Sequence, residues 1–286
     1  MTPERVLATS KPWNSATTLY IARALQDAAN GRRLTVLDMG CGDGLLMRSF
    51  ADLGHDLYGF DLPDREAALR EKMGPVFGDR FDEHIRIMAD ERRIPFDDAS
   101  FDVVYANQVF EHVRFLDQMV AETVRVLKPG GILIALFPLA TYPVEGHCLV
   151  PFAHWLPPGR GRQHYLTAML RLRIGRRFPG MTSRQSAVEW DDRLRQFTFY
   201  RFVNEITALF DHYYEGATVD AAGYIRAKID LLQATGSWSG RLAASVAAST
   251  RGPLMDAMVT HGFMGVFVAT NPRSAETRRR MLAWKT

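Results

Sequence analysis

The chain has 286 residues, a formal net charge of +3 and 47% hydrophobic residues. This composition is typical of a folded globular protein and excludes an extensively disordered chain, and so small a charge does not by itself indicate a nucleic-acid binder. Two cysteines are too few for a disulfide framework or a four-cysteine zinc site, and the absence of a membrane-length apolar run or an N-terminal apolar signal core leads us to expect a cytoplasmic protein.

Strands and helices are predicted to alternate over the first half of the chain. Short apolar runs predict five strands, at 34–40, 56–61, 84–90, 100–107 and 132–138. Helical patterns cover 14–30, 43–54 and 115–127, and Lys128–Gly131 predicts a tight turn before the fifth strand. This alternation predicts βαβ units and a parallel sheet that helices cover on both faces.

The pattern changes after Pro138. Residues 139–185 are rich in Pro, Gly, Arg and His, with one helical stretch near 164–174. Further elements are expected beyond this segment, at 199–209 (helix), 213–220 (strand), 221–233 (helix) and 262–271 (strand). We therefore divide the chain into an N-terminal helix and α/β core (1–138), a basic insertion (139–198), and the remainder of the core (199–286).

A glycine-rich loop joins the first strand to the next helix, in the sequence Asp38-Met39-Gly40-Cys41-Gly42-Asp43-Gly44. Glycines let the backbone turn sharply and approach a ligand at the N-terminus of a helix. Leu45 stands where the dinucleotide fingerprint has its third glycine, and no Gly-Lys-Ser/Thr follows, which argues against a dinucleotide site and a Walker loop. Asp38 before the glycines suits a cationic ligand better than a pyrophosphate.

The VLDMGCGDG segment resembles the first motif of class I S-adenosylmethionine-dependent methyltransferases. Three blocks agree with the family in order and spacing, namely Asp61 at the end of the second strand, ADERRIPFDDASFDVV (89–104) and LKPGGILIALFP (127–138). The chain is identified as a member of this family, of the small-molecule type. The resemblance implies a Rossmann-like, doubly wound, mostly parallel seven-stranded sheet. It also implies an antiparallel C-terminal strand, a helical and loop insertion after strand five, and S-adenosylmethionine as cofactor.

The resemblance also implies a set of cofactor contacts. Asp38 would lie near the methionine amino group, Asp61 would accept hydrogen bonds from the ribose hydroxyls, and Asp90 would accept from the adenine amino group. The cofactor-binding residues expected are Asp38, Gly40, Cys41, Gly42, Asp61, Leu62, Asp90, Glu91, Asn107, Gln108 and His112.

Catalysis requires a group that manages the acceptor's proton. The sulfonium of the cofactor is already a strong electrophile, but an oxygen acceptor needs its proton removed or its charge stabilised. Glu111 and His112 directly follow strand four, and further histidines lie in the insertion, at His147, His154 and His164. We rank His154 first, because the HWLPPG segment is aromatic and stiffened by proline. The candidate catalytic residues are His154, His112 and Glu111, with Asp191 and Asp192 as further candidates.

Metal use is not expected. Related quinone-type methyltransferases carry a second glutamate where Gln108 stands, and some of them use that cluster with a metal. Gln108 removes one carboxylate from the cluster in this chain, so no metal ligands are assigned.

The insertion carries a concentrated positive charge. From Gly146 to Val188 there is no Asp or Glu, while arginines stand at 160, 162, 171, 173, 176, 177 and 184. Such a patch steers anions, although a solvated face or contacts to acidic groups would explain it equally well. We expect a small-molecule acceptor that is anionic or saccharide-like. Membrane-surface association through LTAMLRLRIGRRF (166–178) and a homodimer are left open.

Nucleic acid is not an expected partner. No RNA-binding module is recognisable, and the site after strand four reads Asn107-Gln108-Val109-Phe110 where base-modifying relatives have an aromatic-plus-Pro-Pro motif. The predicted function is S-adenosylmethionine-dependent methyl transfer to an oxygen of a small molecule. The alternative is a regulatory protein that binds the cofactor without turnover.

Overall fold

The computed structural model describes residues 15–234 and 264–274 of the chain. Its strands are β1 (Thr35–Met39), β2 (Asp56–Asp61), β3 (Ile85–Ile87), β4 (Phe101–Asn107), β5 (Leu127–Phe137), β6 (Val144–Glu145), β7 (Val150–Pro151), β8 (Tyr214–Val219) and β9 (Gly265–Pro272). Its helices are α1 (Ser15–Ala29), α2 (Leu45–Phe50), α3 (Glu66–Phe77), α4 (Phe81–His84), α5 (Leu116–Val126), α6 (Arg160–Arg171), α7 (Ser183–Phe197), α8 (Val203–Tyr213) and α9 (Ala221–Ala234).

Seven strands form one sheet in the order β3-β2-β1-β4-β5-β9-β8. Strands β1 to β5 pair in parallel, while β9 runs antiparallel to both β5 and β8. The predicted fold class, a mostly parallel Rossmann-like sheet with an antiparallel C-terminal strand, is confirmed. The order reverses at β1 and β4, so the carboxyl ends of these two strands open into the crevice where ligands bind in such folds.

Both faces of the sheet are buried because side chains alternate along each strand. On β1, Leu37 and Met39 pack into one apolar cluster with α5 and α8, and Val36 packs into the other with α1. This double burial explains why the first strands read as continuous apolar runs in the sequence.

The predicted turn at Lys128–Gly131 lies within β5 in the structure. The pairing with β4 shifts there, from Phe101 opposite Leu127 to Val103 opposite Ile132, so the extra residues form a bulge. Gly130 has a φ of 78°, which lets the backbone bend without leaving the strand.

The insertion differs most from the expectation. The helix predicted near 164–174 spans Arg160–Arg171, the one predicted at 199–209 spans Val203–Tyr213, and helix α7 was not predicted. Thr182 caps α7 by accepting from the Gln185 amide at 3.2 Å, and Gln185 Oε1 accepts from the Thr182 amide at 2.9 Å. This reciprocal capping box is visible in the sequence as Thr-Ser-Arg-Gln. The segment also contains the β6–β7 hairpin.

We call residues 144–197 the cap. It has an apolar core of its own, formed by Cys148, Val150, Ala153, Leu166, Leu170, Ala187, Trp190 and Leu194. Beside this core a buried ion pair joins its two helices: Arg162 Nε donates to Asp191 Oδ1 at 2.6 Å. Asp191 also accepts from the side-chain amide of Gln163 at 2.8 Å and from the backbone amide of Gly159. Asp191 therefore has a structural role in the cap, where its carboxylate links the two helices.

We expect Asp191→Ala to lower the free energy of unfolding by about 3 kcal/mol, because it leaves the buried Arg162 guanidinium without its counter-charge. Urea denaturation of the full chain measures this. The control is Asp192→Ala, whose carboxylate pairs with Arg195 on the surface and whose loss should leave stability nearly unchanged. Equal losses in the two variants would contradict the structural role of Asp191.

Candidate cofactor and catalytic site

The glycine loop after β1 needs its glycines for two different reasons. Gly40 and Gly42 both have left-handed backbone, with φ of 67° and 61°. A Cβ at Gly40 would lie 2.7 Å from Val109 Cγ2, whereas a Cβ at Gly42 would meet nothing within 4 Å. Gly40 therefore allows the close packing of the loop on the residues after β4, and Gly42 faces space that a ligand can enter.

Asp61, at the end of β2, is tied to the same loop. Its Oδ2 accepts from the Gly42 amide at 2.5 Å and its Oδ1 accepts from the Leu62 amide at 2.7 Å. Each carboxylate oxygen has two lone pairs, so both oxygens can accept one more hydrogen bond. This arrangement fits a carboxylate that accepts from two neighbouring hydroxyls.

Buried polar atoms without partners gather at the ends of β1 and β4. Asp38 stands opposite Tyr105 in the β1–β4 register and is only 3% exposed. Within the described residues, Asp38 Oδ2 and Asn107 Oδ1 have no hydrogen-bond partner. Burial raises the pKa of Asp38 well above its usual range, the Tyr105 hydroxyl opposes this shift, and the charge of Asp61 adds to it. Since buried polar groups normally have partners, these two oxygens fit the ammonium end of a bound amino acid moiety.

The adenine-side residues lie on exposed turns. Asp90 and Glu91 follow β3 on the surface, and Asp90 Oδ1 accepts from the Arg92 amide at 2.9 Å. Leu62 is 41% exposed beside Asp61.

Cys41 is a packing residue. Its sulfur would lie 3.0 Å from a Cβ built at Gly59, and burial raises the pKa of the Cys41 thiol.

A second polar cluster follows β4, where the core meets the cap. His112 Nδ1 lies 2.6 Å from the Phe197 carbonyl oxygen, and His112 Nε2 lies 3.3 Å from Nε2 of His147. His147 Nδ1 in turn lies 2.6 Å from Glu145 Oε1. We call His112 and His147 the histidine pair.

Glu145 is fully buried and held from several sides. Its Oε2 accepts from the backbone amides of His147 at 2.8 Å and Cys148 at 2.7 Å, and the Tyr200 hydroxyl donates to its Oε1 at 2.6 Å. Burial would raise the pKa of Glu145, but the hydrogen bond and charge of His147 outweigh this, with further help from the other donors, and lower it to about 2. Glu145 is therefore a carboxylate at neutral pH.

Glu111 has the opposite environment. It is 1% exposed, and both of its carboxyl oxygens lack hydrogen-bond partners among the described residues. Burial raises its pKa to about 8, so the group is mostly a neutral acid at pH 7 and can donate a hydrogen bond. Its Oε1 lies 4.0 Å from Nε2 of His112.

The structure gives His154 a different setting from the histidine pair. Its Nε2 lies 3.2 Å from the Ala140 carbonyl oxygen, its ring packs on Tyr200 with centroids 4.6 Å apart, and its buried Nδ1 has no partner in the described part of the chain. Burial lowers the pKa of His154. Tyr200 thus connects His154 to Glu145, while the candidates Glu111 and His112 lie in the cluster directly.

Sequence reasoning did not single out Glu145 or Tyr200. A signal for Glu145 exists, since it is the acid that immediately precedes the acid-free stretch 146–188. No comparable signal marks Tyr200. In the described ranges, 15–234 and 264–274, no group of three or more His, Cys, Asp or Glu side chains is arranged to hold a metal ion. No helix in those ranges is long and apolar enough to cross a membrane.

The family described as "Methyltransferase domain" matches residues 37–135, the segment that contains the glycine loop, Asp61 and β4. This chain carries a class I S-adenosylmethionine-dependent methyltransferase domain. The predicted family, and S-adenosylmethionine as its cofactor, are thereby confirmed, and the residues present fit that cofactor. The roles of individual residues stay predictions.

Relatives of this methyltransferase domain act on different acceptors. A sterol 4-C-methyltransferase of Caenorhabditis elegans is 35% identical over 116 residues, which cover 40% of this chain and 33% of that protein. A ubiquinone biosynthesis O-methyltransferase of Maricaulis maris is 32% identical over 159 residues, which cover 53% of this chain and 60% of that protein. The chain thus matches less than two thirds of the length of either relative.

A solved structure has the same fold as this methyltransferase domain. The S-adenosylmethionine-dependent methyltransferase from Mesorhizobium loti superposes with a TM-score of 0.50 at 17% identity, covering 90% of this chain and 99% of that chain. At this identity the likeness concerns the fold alone.

We expect Asp61→Ala to weaken the binding of S-adenosylhomocysteine about 10- to 100-fold, because the ribose hydroxyls would lose a charged acceptor. Isothermal titration calorimetry measures this. Asp64→Ala is the control, since Asp64 is an exposed carboxylate three residues further on and should leave affinity unchanged. Unchanged affinity in Asp61→Ala would show that Asp61 does not contact the cofactor.

Proposed function

We propose that this protein transfers the methyl group of S-adenosylmethionine to an oxygen of a small anionic or saccharide-like molecule. The observation that carries this proposal is the contact between the histidine pair, because His112 follows β4 of the core and His147 belongs to the cap. Two imidazole side chains that can take up an acceptor proton therefore meet where the segment after β4 contacts the cap. An acceptor bound there would lie between the core and the cap.

An anionic acceptor is favoured by the charges near the histidine pair. The positive charge of the exposed Arg65 lowers the pKa of His112, and that of the exposed Arg176 lowers the pKa of His147. Each effect is smaller than those of burial and of the groups nearer to the ring. The backbone of Arg176 is fixed, because its amide donates to Cys148 O at 2.7 Å and its carbonyl accepts from Trp190 Nε1 at 2.6 Å. Two positive groups beside the pair would attract and orient a phosphate or carboxylate on the acceptor.

The residues of this chain would bind the cofactor, bind the acceptor and exclude water. The bound cofactor supplies an activated methyl group. Asp38, Asn107 and the Gly42 backbone would hold its methionine part, and Asp61 would hold its ribose. The neutral Glu111 carboxyl would donate a hydrogen bond to the acceptor, and the cap would exclude water from the crevice.

The first test is transfer of labelled methyl from S-adenosyl-[methyl-13C]methionine to a small-molecule extract, with the products characterised by NMR and mass spectrometry. We expect an O-methylated product that carries a negative charge or a sugar. Methylation of nitrogen or carbon would contradict the oxygen acceptor. Tight binding of S-adenosylhomocysteine without any labelled product would favour a regulatory protein.

We expect Arg176→Glu to raise KM for the acceptor about tenfold, the loss typical of one charge-assisted contact, with unchanged affinity for S-adenosylhomocysteine. Steady-state kinetics with the labelled acceptor checks this. Arg195→Glu makes the same change of charge elsewhere in the cap, at an exposed arginine paired with Asp192, and should leave KM unchanged. Equal effects of the two variants would mean that only the overall charge of the cap matters.

A further inference from the structure

The hydrogen-bond partners of the histidine pair fix where its protons lie. Phe197 O is a carbonyl and can only accept, so Nδ1 of His112 carries a proton. Glu145 is a carboxylate, so Nδ1 of His147 carries a proton as well. With both Nδ1 atoms protonated, each Nε2 is the atom whose protonation can change, and the two Nε2 atoms face each other at 3.3 Å.

The gap between the two Nε2 atoms has room for a single proton. With one proton it is an N–H···N hydrogen bond, and with two it would place two N–H groups head to head. With no proton, two lone pairs converge on the same small space. The pair therefore behaves as a site that gains or loses one proton as a unit.

We propose that the histidine pair removes the proton of an alcohol or phenol hydroxyl during methyl transfer, with Glu145 as the positioning residue that holds His147. This inference rests on the proposed function and narrows it, because a carboxylate acceptor has no proton to remove and would not need the pair. It also moves the site of proton transfer from His154 to His112 and His147.

The surrounding charges agree with this assignment. Burial opposes a charge on His147, but the hydrogen bond to Glu145 and its negative charge outweigh burial and raise the pKa of His147. Burial lowers the pKa of His112, and the neighbouring His147 lowers it further, so the shared proton lies on His147. The titratable and charged groups that face the pair are Glu111 after β4, Arg65 before α3, and Glu145, Cys148, Arg176 and Tyr200 in and beside the cap.

Methyl transfer forms one bond, breaks one bond and moves one proton. The acceptor oxygen forms a bond to the methyl carbon, the carbon–sulfur bond breaks, and its electron pair stays on sulfur as a neutral thioether. The hydroxyl proton passes to the gap between the two Nε2 atoms, which must be empty at that moment. The products are a methyl ether, S-adenosylhomocysteine and a protonated pair, which returns the proton to water.

This requirement fixes the sign of the pH dependence. The empty gap is the reactive form, and the pKa of His147 is raised, so we expect methyl transfer to fall as the pH drops through a value above 6.5, the ordinary pKa of histidine. Glu145→Gln removes the charge that raises this pKa, so the acid limb should move to lower pH while the maximal rate falls. A merely structural role for Glu145 would lower the rate without moving the limb.

The protons can be observed directly. We propose 15N NMR of the imidazole rings in the full chain bound to S-adenosylhomocysteine, as a function of pH. Both Nδ1 atoms should remain protonated throughout, and only Nε2 signals should titrate. In His147→Gln the midpoint of His112 should rise, whereas His164→Gln, at an exposed histidine of the cap, should leave it unchanged. Independent titration of the two rings in the wild type would overturn the shared proton.

Kinetics then tests the role in catalysis. His147→Gln should lower kcat about 100-fold, as for loss of a general base, with unchanged affinity for S-adenosylhomocysteine and normal activity in His164→Gln. If His154→Gln loses kcat and His147→Gln does not, the pair is not the base. Activity that is lost on dialysis against EDTA and restored only by a divalent metal would also overturn the inference, because an ion would occupy the gap.

The labelled product tests two claims separately, namely methylation of an oxygen and proton removal by the histidine pair. A methyl ether supports both. A methyl ester would leave oxygen methylation of an anionic molecule in place and overturn the role of the histidine pair. A methylated amine or carbon would overturn both.

Discussion

The buried carboxylate of Glu145 is the constraint on which the position of the histidine pair depends. A carboxylate away from water is costly unless it is fully hydrogen-bonded, and here both oxygens are engaged. Its donors come from the cap itself, through the His147 ring and the amides of His147 and Cys148, and from Tyr200 beyond the cap. The hydrogen bond to this carboxylate therefore fixes the orientation of the His147 ring. The other side of the same ring contacts His112 of the core.

The core contributes a different kind of site. At the ends of β1 and β4 the fold leaves Asp38, Asn107 and Glu111 with buried oxygens that no described residue satisfies. Such atoms destabilise the free protein, so their retention is expected where a bound molecule supplies the missing partners. The core thus offers buried polar oxygens for a ligand, and in the proposed reaction the cap supplies the base. The proposed methyl transfer to a hydroxyl would use these two contributions together.

The sequence predicts the core well because its signals are local. An apolar run, a glycine loop and a closing acid each lie within about ten residues, which is why β1, β2 and β4 and the position of Asp61 could be anticipated. Helix α7 is not predicted, although Thr182 and Gln185 form a capping-box pattern that marks its start. The residues around this pattern are polar and arginine-rich, so the apolar signal that predicts a helix is weak. The bulge in β5 was read as a turn, since the Lys-Pro-Gly-Gly sequence is compatible with either structure.

The contact between His112 and His147 could not be predicted in this way. The two residues are 35 positions apart, and the chain between them passes through β5 and into the cap hairpin before it returns. Whether they meet depends on how the cap hairpin packs against the core. His154 stands in a more distinctive sequence, HWLPPG, yet its partners are a backbone carbonyl and the Tyr200 ring. A histidine gains basicity from a fixed anion on its far nitrogen, and in this cluster His147 has that anion, at 2.6 Å.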